Sequence, residues 1–183
     1  MYTMYYNAEN QYLIIGNSKE IKIKKEENEN VYFYDENNQI IGANIKIKLD
    51  KNGLVHYDDI KDLEINEELK KLIKETNPNF KYGKIVSYEE HPESKKLKVC
   101  KIFDGIEKQI ICGASNVEVG KIAIVAQIGT MMPNGKFINP SKLLGVESYG
   151  MLCSLQELGY EQKEPGIYLT NNEELIGTEF RGI

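Results

Sequence analysis

The residues best suited to chemistry in this chain of 183 residues are three cysteines and two histidines. The cysteines are Cys100, Cys112 and Cys153, and no C-x-x-C pair occurs among them. Neither His56 nor His91 stands near a second ligand type at a metal-binding spacing. A catalytic thiol would need a partnering base, for which a chain with two histidines is a poor prospect. We therefore predict three buried, apolar cysteines, no catalytic residue, no metal and no cofactor.

A glycine-containing segment, CGASNVEVGK at residues 112–121, raises the question of phosphate binding. A P-loop has four residues between its glycines, and its lysine is followed by Ser or Thr. Here six residues separate Gly113 from Gly120, and Lys121 precedes Ile122. The segment is better interpreted as a bend between two strands, whose small residues let a ligand approach the backbone closely.

A run of four lysines within HPESKKLKVCK, residues 91–101, is a second candidate for phosphate contact. Pro92 keeps the preceding histidine extended. We interpret His91 as a loop residue that is hydrogen-bonded to backbone, because no acid–base partner accompanies it in the motif. Lysine runs are more often solvated faces than binding sites, so this run is a weak signal by itself.

The distribution of charge strengthens the case for a positive face. Residues 81–142 carry 10 Lys against 6 acidic residues, a net charge of +4. Residues 1–79 carry 11 Lys against 15 acids, which is −4, and residues 143–183 carry 2 basic residues against 7 acids, which is −5. A basic middle segment suits a phosphate-bearing partner. The total of −5 argues against strong nonspecific binding to nucleic acid.

The elements that position these residues divide into two parts, of which the first is predicted to be a small α+β domain over residues 1–79. Four segments are typical of strands: QYLIIG, KEIKIKK, NVYFYD and ANIKIKL. In KEIKIKK and NIKIKL, isoleucine alternates with charge as it does in half-buried strands. Apolar residues recur at helical spacing within residues 65–75, and Asn77-Pro78 ends that helix. Seven of the twelve tyrosines lie within residues 1–57, and we interpret them as sheet residues rather than base-stacking platforms.

The second part, residues 80–183, is predicted to be all-β. Four strand-like segments follow one another closely: YGKIVSYEEH, KLKVCKIFDG, EKQIICGA and GKIAIVAQ. Asp104-Gly105 predicts a hairpin turn between the second and third segments, and Asn134-Gly135 predicts a later turn. Short strands with one small helix in ~100 residues favour a closed or nearly closed small barrel.

The C-terminal stretch NPSKLLGVESYGMLCSLQELG is too apolar for a solvated loop and too rich in glycine for a plain helix or strand. We predict turns at Gly145 and Gly150. Ser154 and Glu157 have the spacing of a capping box, which predicts a short helix at the end of the stretch.

Three motifs in this order resemble a known family. HPESKKLKVCKIFDG, QIICGASNVEVGKIAIVAQIGTMMPNG and KLLGVESYGMLCSLQELG are similar to the tRNA-binding domain of the endothelial-monocyte-activating-polypeptide type. The similarity covers residues 81 to about 177, and a small α+β domain before such a module further resembles the YtpR-type bacterial tRNA-binding proteins. The resemblance implies an OB-fold, a five-stranded oligonucleotide-binding barrel that holds nucleic acid on one face and its loops.

The resemblance also implies the residues that contact tRNA. Relatives use a Ser-x-x-Met motif and a basic residue of the HP segment, and two further positions follow from their place in the groove. The positions in this chain are Lys96, Lys98, Asn116, Ser148 and Met151. The family usually has an acidic residue where this chain has Lys95, so which lysine makes the main phosphate contact stays open. A period of two places Lys96 and Lys98 on one strand face and Lys95 on the other, and Met151 as a core residue stays an alternative.

The sequence thus favours a non-catalytic, cytoplasmic tRNA-binding protein. The resemblance adds an aminoacyl-tRNA synthetase and a second copy of the chain, in a homodimer, as further partners. No apolar run is long enough to span a bilayer, so no membrane partner is predicted. The alternative is a protein-interaction or chaperone module that uses the same groove for peptides, since fold does not fix function. An enzyme is the third hypothesis, but the chain offers no convergent catalytic groups.

Overall fold

The computed structural model describes residues 1–183, and the chain is mostly β-structure with two short α-helices. It divides into two compact units. The first comprises Met1–Asn77 together with Gly129–Phe137, and the second comprises Pro78–Ile128 and Ile138–Ile183. None of the helices has the length and apolar character needed to cross a membrane.

A six-stranded antiparallel sheet forms most of the first unit. Its strands are β1 (Thr3–Asn7), β2 (Tyr12–Gly16), β3 (Ile23–Glu27), β4 (Asn30–Tyr34), β5 (Ile40–Lys46) and β6 (Gly53–Val55). They lie in the order β3-β4-β5-β2-β1-β6. The sequence predicted β2 and β4 closely and β5 about three residues late, whereas β1 and β6 were not predicted.

The prediction of a half-buried strand at KEIKIKK is wrong. The strand β3 begins only at Ile23, every residue of it is exposed, and Ile21 before it is 54% exposed. An alternating pattern buries one face only where another layer packs against that face. Strand β3 is at the edge of the sheet and contributes no residue to the apolar core.

Two helices, α1 (Tyr57–Ile60) and α2 (Glu67–Lys74), contribute to the core of the first unit. The helix predicted over residues 65–75 is present as α2. Its N-cap is Asn66, whose side chain accepts a hydrogen bond from the backbone N–H of Leu69 at 3.0 Å. The side chains of Leu69 and Ile73 are buried in the core. Of the seven tyrosines in residues 1–57, Tyr2 precedes β1 and Tyr57 begins α1. The interpretation as sheet residues holds for the other five, which are Tyr5, Tyr6, Tyr12, Tyr32 and Tyr34.

The segment Gly129–Phe137 completes the first unit. The backbone N–H of Met131 donates to Thr3 Oγ1 at 2.9 Å, and the Tyr5 hydroxyl donates to the Met131 carbonyl at 2.8 Å. Alternate residues of a strand face opposite sides, and the neighbouring Met4 belongs to the helix-covered core. The segment therefore covers the part of the second sheet face near Thr3 and Tyr5, and its predicted turn is present at Gly135, where φ is +81°.

A second antiparallel sheet organises the second unit. Its strands are β7 (Phe80–His91), β8 (Ser94–Phe103), β9 (Glu107–Cys112), β10 (Ile122–Ala126), β11 (Ser141–Leu143), β12 (Val146–Ser148), β13 (Met151–Cys153) and β14 (Leu169–Thr170). Five of them form one sheet in the order β13-β10-β7-β8-β9, while β14 pairs with β10 and β11 pairs with β12 as a separate hairpin. The four strands predicted between residues 82 and 127 are all present.

Candidate nucleic-acid interface

The C-terminal stretch turns at the two predicted glycines. Gly145 has φ of +85° between β11 and β12, and Gly150 has φ of +142° between β12 and β13. The predicted capping box is also present, because Glu157 N–H donates to Ser154 Oγ at 3.1 Å and Ser154 N–H donates to Glu157 Oε2 at 2.8 Å. The helix that follows is a single 3₁₀ turn, Gln156–Leu158, whose N-cap position is Leu155.

Ser148 is buried, with 2% of its surface exposed. Its Oγ accepts a hydrogen bond from the backbone N–H of Ile111 at 3.0 Å, and the neighbouring Tyr149 N–H donates to the Gln109 carbonyl at 2.9 Å. These two bonds join β9, at one end of the five-stranded sheet, to the residues just before β13, at the other end. The Ser148 hydroxyl therefore satisfies one backbone N–H of β9, and its contact with RNA stays a prediction.

Asn116 also bonds to the protein backbone. Its Nδ2 donates to the Ile167 carbonyl at 2.8 Å, and its Oδ1 accepts from Ile167 N–H at 3.0 Å. The amide thus takes the place of a pairing strand and holds the loop after β9 against residues 166–167. A side chain at Gly166 would collide with the same amide, at 2.4 Å from Oδ1. Asn116 as a tRNA contact stays a prediction.

The lysine run lies where β7 and β8 fall out of register. The consecutive β7 residues Glu90 and His91 pair with Lys98 and Ser94, so residues 95–97 form a bulge without partners on β7. Because a bulge re-aims its side chains, simple alternation does not carry from Lys98 into the bulge. The regular alternation that was used to place Lys96 and Lys98 on one strand face therefore does not apply here.

Lys95 and Lys96 are both exposed in this bulge. Lys98 is half-buried, and its ammonium lies 4.8 Å from the centre of the Tyr88 ring and 3.4 Å from the Ser115 carbonyl oxygen. The ammonium of Lys98 thus contacts a ring and a carbonyl rather than a carboxylate, which leaves its charge available to an anion. Sequence reasoning missed Tyr88, for which the one signal was an aromatic residue within the acidic YEEH run.

Met151 lines an open cavity of about 420 Å³ and is half-buried. A volume in this range suits a small ligand or one planar group. Its lining also includes Ile111, Cys112, Gly113, Ser154, Glu157 and Ile167. The cavity combines an apolar side with the polar groups of the capping box. Since Cys112 pairs with Lys98 across the β8–β9 ladder, the cavity adjoins the basic strand.

His91 is buried, and both of its ring nitrogens are hydrogen-bonded to backbone. The predicted hydrogen bonding of His91 to backbone is therefore present. Its Nδ1 accepts from Glu93 N–H at 3.1 Å, and its Nε2 lies 3.0 Å from the Leu143 carbonyl oxygen. Because Nδ1 accepts, Nε2 is assigned as the donor to Leu143. His91 thereby ties the end of β7 to the β11–β12 hairpin.

All three cysteines are buried, as predicted. Burial raises the pKa of the Cys100 thiol to about 12, and it also raises the pKa values of Cys112 and Cys153. Thiols with raised pKa values hold little thiolate near neutral pH, and the thiolate is the reactive form. None of the three is suited to act as a nucleophile.

Comparison with known proteins supports a shared family. The family model described as "Putative tRNA binding domain" matches residues 80–179. The chain is 36% identical over 151 residues to "Putative tRNA-binding protein YtpR" of Bacillus subtilis (strain 168), which covers 78% of this chain and 75% of that protein. It is 43% identical over 105 residues to the phenylalanine–tRNA ligase beta subunit of Fusobacterium nucleatum subsp. nucleatum.

The extent of these similarities differs greatly. The match to the ligase subunit covers 56% of this chain but 13% of the subunit, so the chain corresponds to a small part of that protein. Among solved structures, the crystal structure of a MetRS related protein from Pyrococcus horikoshii aligns with a TM-score of 0.41 and 23% identity. That alignment covers 63% of this chain and 96% of that chain.

Proposed function

The chain belongs to the tRNA-binding domain family, and from this premise we propose that it binds tRNA and catalyses no reaction. One observation carries the proposal beyond the family. Lys98 pairs with Cys112 across the β8–β9 ladder, and Cys112 lines the cavity that also contains Met151. The backbone that carries a cation for phosphate thus lies about one strand spacing, ~5 Å, from the backbone of a residue that lines a partly apolar cavity for a base.

The fold that we propose for the second unit is an OB-fold barrel. The strand order β13-β10-β7-β8-β9 supports it. The hydrogen bonds of Ser148 to Ile111 and of Tyr149 to Gln109 add to this support, because they link the two end strands of the sheet. In such a barrel one face and its loops hold the nucleic acid. We propose the first unit as an accessory α+β domain.

Within the groove the five predicted residues take different roles. Lys96 and Lys98 bind phosphates, and Met151 packs on an unstacked base through its polarizable side chain. Ser148 and Asn116 hold the walls of the groove through the backbone bonds described above. The raised thiol pKa values and the two backbone hydrogen bonds of His91 support a function without catalysis. A homodimer and a synthetase partner stay predictions from the resemblance.

Changing Lys96 or Lys98 to Ala should weaken the binding of all tRNAs similarly. Each change should also reduce the slope of log affinity against log salt concentration by roughly 0.7 to 0.9, because one phosphate contact is lost. The measurement is fluorescence anisotropy of labelled bulk tRNA with the full-length protein at several salt concentrations. Lys101→Ala is the matched control, since Lys101 is exposed on the same strand and lies 3.9 Å from the carboxylate of Glu107.

The same titration with Lys95→Ala decides which lysine of the bulge makes the main contact. If none of these variants alters tRNA binding while each stays folded, the groove assignment is wrong. Saturation by an unfolded peptide, with no binding of tRNA, would instead support the protein-interaction alternative.

Met151→Ala should lower the affinity for tRNA by about 1–3 kcal/mol if the side chain packs on a base. The salt slope should stay at the wild-type value, because no charge is removed. Met151→Leu keeps an apolar side chain of similar volume and should bind nearly as well as the wild type. An equal loss for Ala and Leu, or a changed salt slope, would contradict a packing role for Met151.

A further inference from the structure

Leu144 has a backbone conformation that is unusual for its residue type. It stands with Gly145 at the two-residue turn between β11 and β12, and both residues have positive φ, +43° and +85°. Turns with two positive φ values favour Asn, Asp or Gly at these positions. The other non-glycine residues of the chain with positive φ are all polar amides: Gln11, Asn28 and Asn38. Leu144 is thus the one bulky apolar residue that the fold holds in the left-handed region.

Packing within the chain does not account for this choice. Leu144 is 53% exposed, so over half of the residue's surface is in water. An apolar residue that is both strained and exposed is a reason to look for function, because strain persists where it serves a binding site. A residue such as Asn would fit the turn better and would tolerate water better.

The hairpin brings Leu144 to the basic end of the sheet. At its base, Ser148 bonds to Ile111, which lines the cavity. At its tip, the Leu143 carbonyl lies 3.0 Å from His91 Nε2, at the end of β7. The chain continues from His91 through a short turn to the bulge that contains Lys96. The hairpin therefore reaches from Ile111, which lines the cavity, to His91, four residues before the lysine bulge begins.

We propose that Leu144 packs against the face of an unpaired base of the bound tRNA, as an apolar contact next to the phosphate-binding lysines. This inference rests on the proposed tRNA binding and adds a residue to it. Single-stranded parts of RNA expose unstacked base faces, which are the apolar surfaces that such a ligand offers. Apolar side chains that pack on base steps recur in nucleic-acid-binding proteins.

The test uses the full-length protein and three variants. Leu144→Asn removes the apolar side chain and suits the turn, Leu144→Phe keeps an apolar face, and Ile106→Asn makes the same kind of change elsewhere. Ile106 is 66% exposed in the β8–β9 turn, at the opposite end of β8 from the bulge. Each variant is titrated with labelled bulk tRNA at several salt concentrations, and its urea midpoint and sedimentation are measured.

We expect Leu144→Asn to bind tRNA about five- to tenfold more weakly with an unchanged salt slope, because it loses apolar contact and no charge. Its urea midpoint should equal or exceed that of the wild type, since strain is relieved. Leu144→Phe and Ile106→Asn should bind as the wild type does. Wild-type affinity of Leu144→Asn would overturn the inference while leaving the proposed function intact. A loss that follows a change in oligomeric state, or an equal loss in Ile106→Asn, would also overturn it. Absence of tRNA binding by the wild type would overturn the proposed function itself.

Discussion

Gly150→Ala is expected to lower the free energy of unfolding by about 2–4 kcal/mol. Gly150 has φ of +142°, far from the left-handed region near +57° that other residues enter at modest cost. A Cβ here would lie 2.9 Å from the Ala126 carbonyl oxygen and 3.1 Å from Ile110 Cδ1. The backbone between Ser148 and Met151 would have to shift. Urea denaturation of the full-length protein measures the effect.

A second glycine separates the two causes of this loss, which are backbone strain and the collision of the added Cβ. Gly120 also has positive φ, +89°, but no atom lies within 4 Å of the position of a Cβ. Gly120→Ala should therefore cost about 1 kcal/mol from backbone strain alone. The difference between the two variants reports the collision at Gly150. Equal losses of unfolding free energy in the two variants would mean that β12 and β13 can move apart enough to admit a side chain. Gly150 would then not fix the position of Met151.

The features that the sequence predicted correctly are determined by residues close together in the chain. The capping box needs two residues three positions apart, Ser154 and Glu157, and the turn residues act through their own φ and ψ. The helix α2 follows from the apolar spacing within residues 65–75 and from Asn77-Pro78 after it. Each of these depends on residues that are neighbours along the chain, so a local pattern contains the required information.

The features that the sequence did not predict depend on distant partners. Ser148 bonds to a residue 37 positions away, Asn116 to one 51 positions away, and Met131 to one 128 positions away. A polar side chain in an apolar stretch signals that it needs a partner, but only the fold specifies which one. The same limit applies to the edge strand β3, whose alternation was regular although no layer covers it. Likewise, the bulge at residues 95–97 follows from the register between two strands, which neither strand shows alone.

These differences change how the candidate site is understood. Resemblance identified five residues as direct contacts, whereas two of them, Ser148 and Asn116, already bond to backbone within the chain. A residue typical of a binding motif can therefore also hold separate segments of the chain together. The exposed or half-exposed lysines and Met151 are the members best placed for direct contact.

The largest effect is expected from Asp104, whose side chain is 1% exposed at the end of β8. Its Oδ2 accepts hydrogen bonds from Lys108 Nζ at 2.8 Å and from Gln127 Nε2 at 2.7 Å. Lys108 is only 10% exposed and also donates to Gln127 Oε1 at 2.6 Å. The three side chains form a buried network with one positive and one negative charge. Removing one charge of such a buried pair leaves the other charge without its partner, which strongly destabilises the fold.

Asp104→Ala should therefore lower the free energy of unfolding by about 3–5 kcal/mol, because it leaves the Lys108 ammonium buried without its partner. Lys101→Ala, which removes an exposed pair with Glu107, should cost at most about 1 kcal/mol. The double variant Asp104→Leu with Lys108→Met should recover much of the loss, since no charge remains buried. Urea denaturation measures all three. A loss below about 1 kcal/mol for Asp104→Ala would mean that water reaches Lys108 and that the network is not closed in solution.

Because Asp104 lies at the opposite end of β8 from the lysine bulge, the folded Asp104→Ala protein should keep the wild-type salt slope for tRNA. A changed slope would place the bound phosphates nearer to this end of the strand.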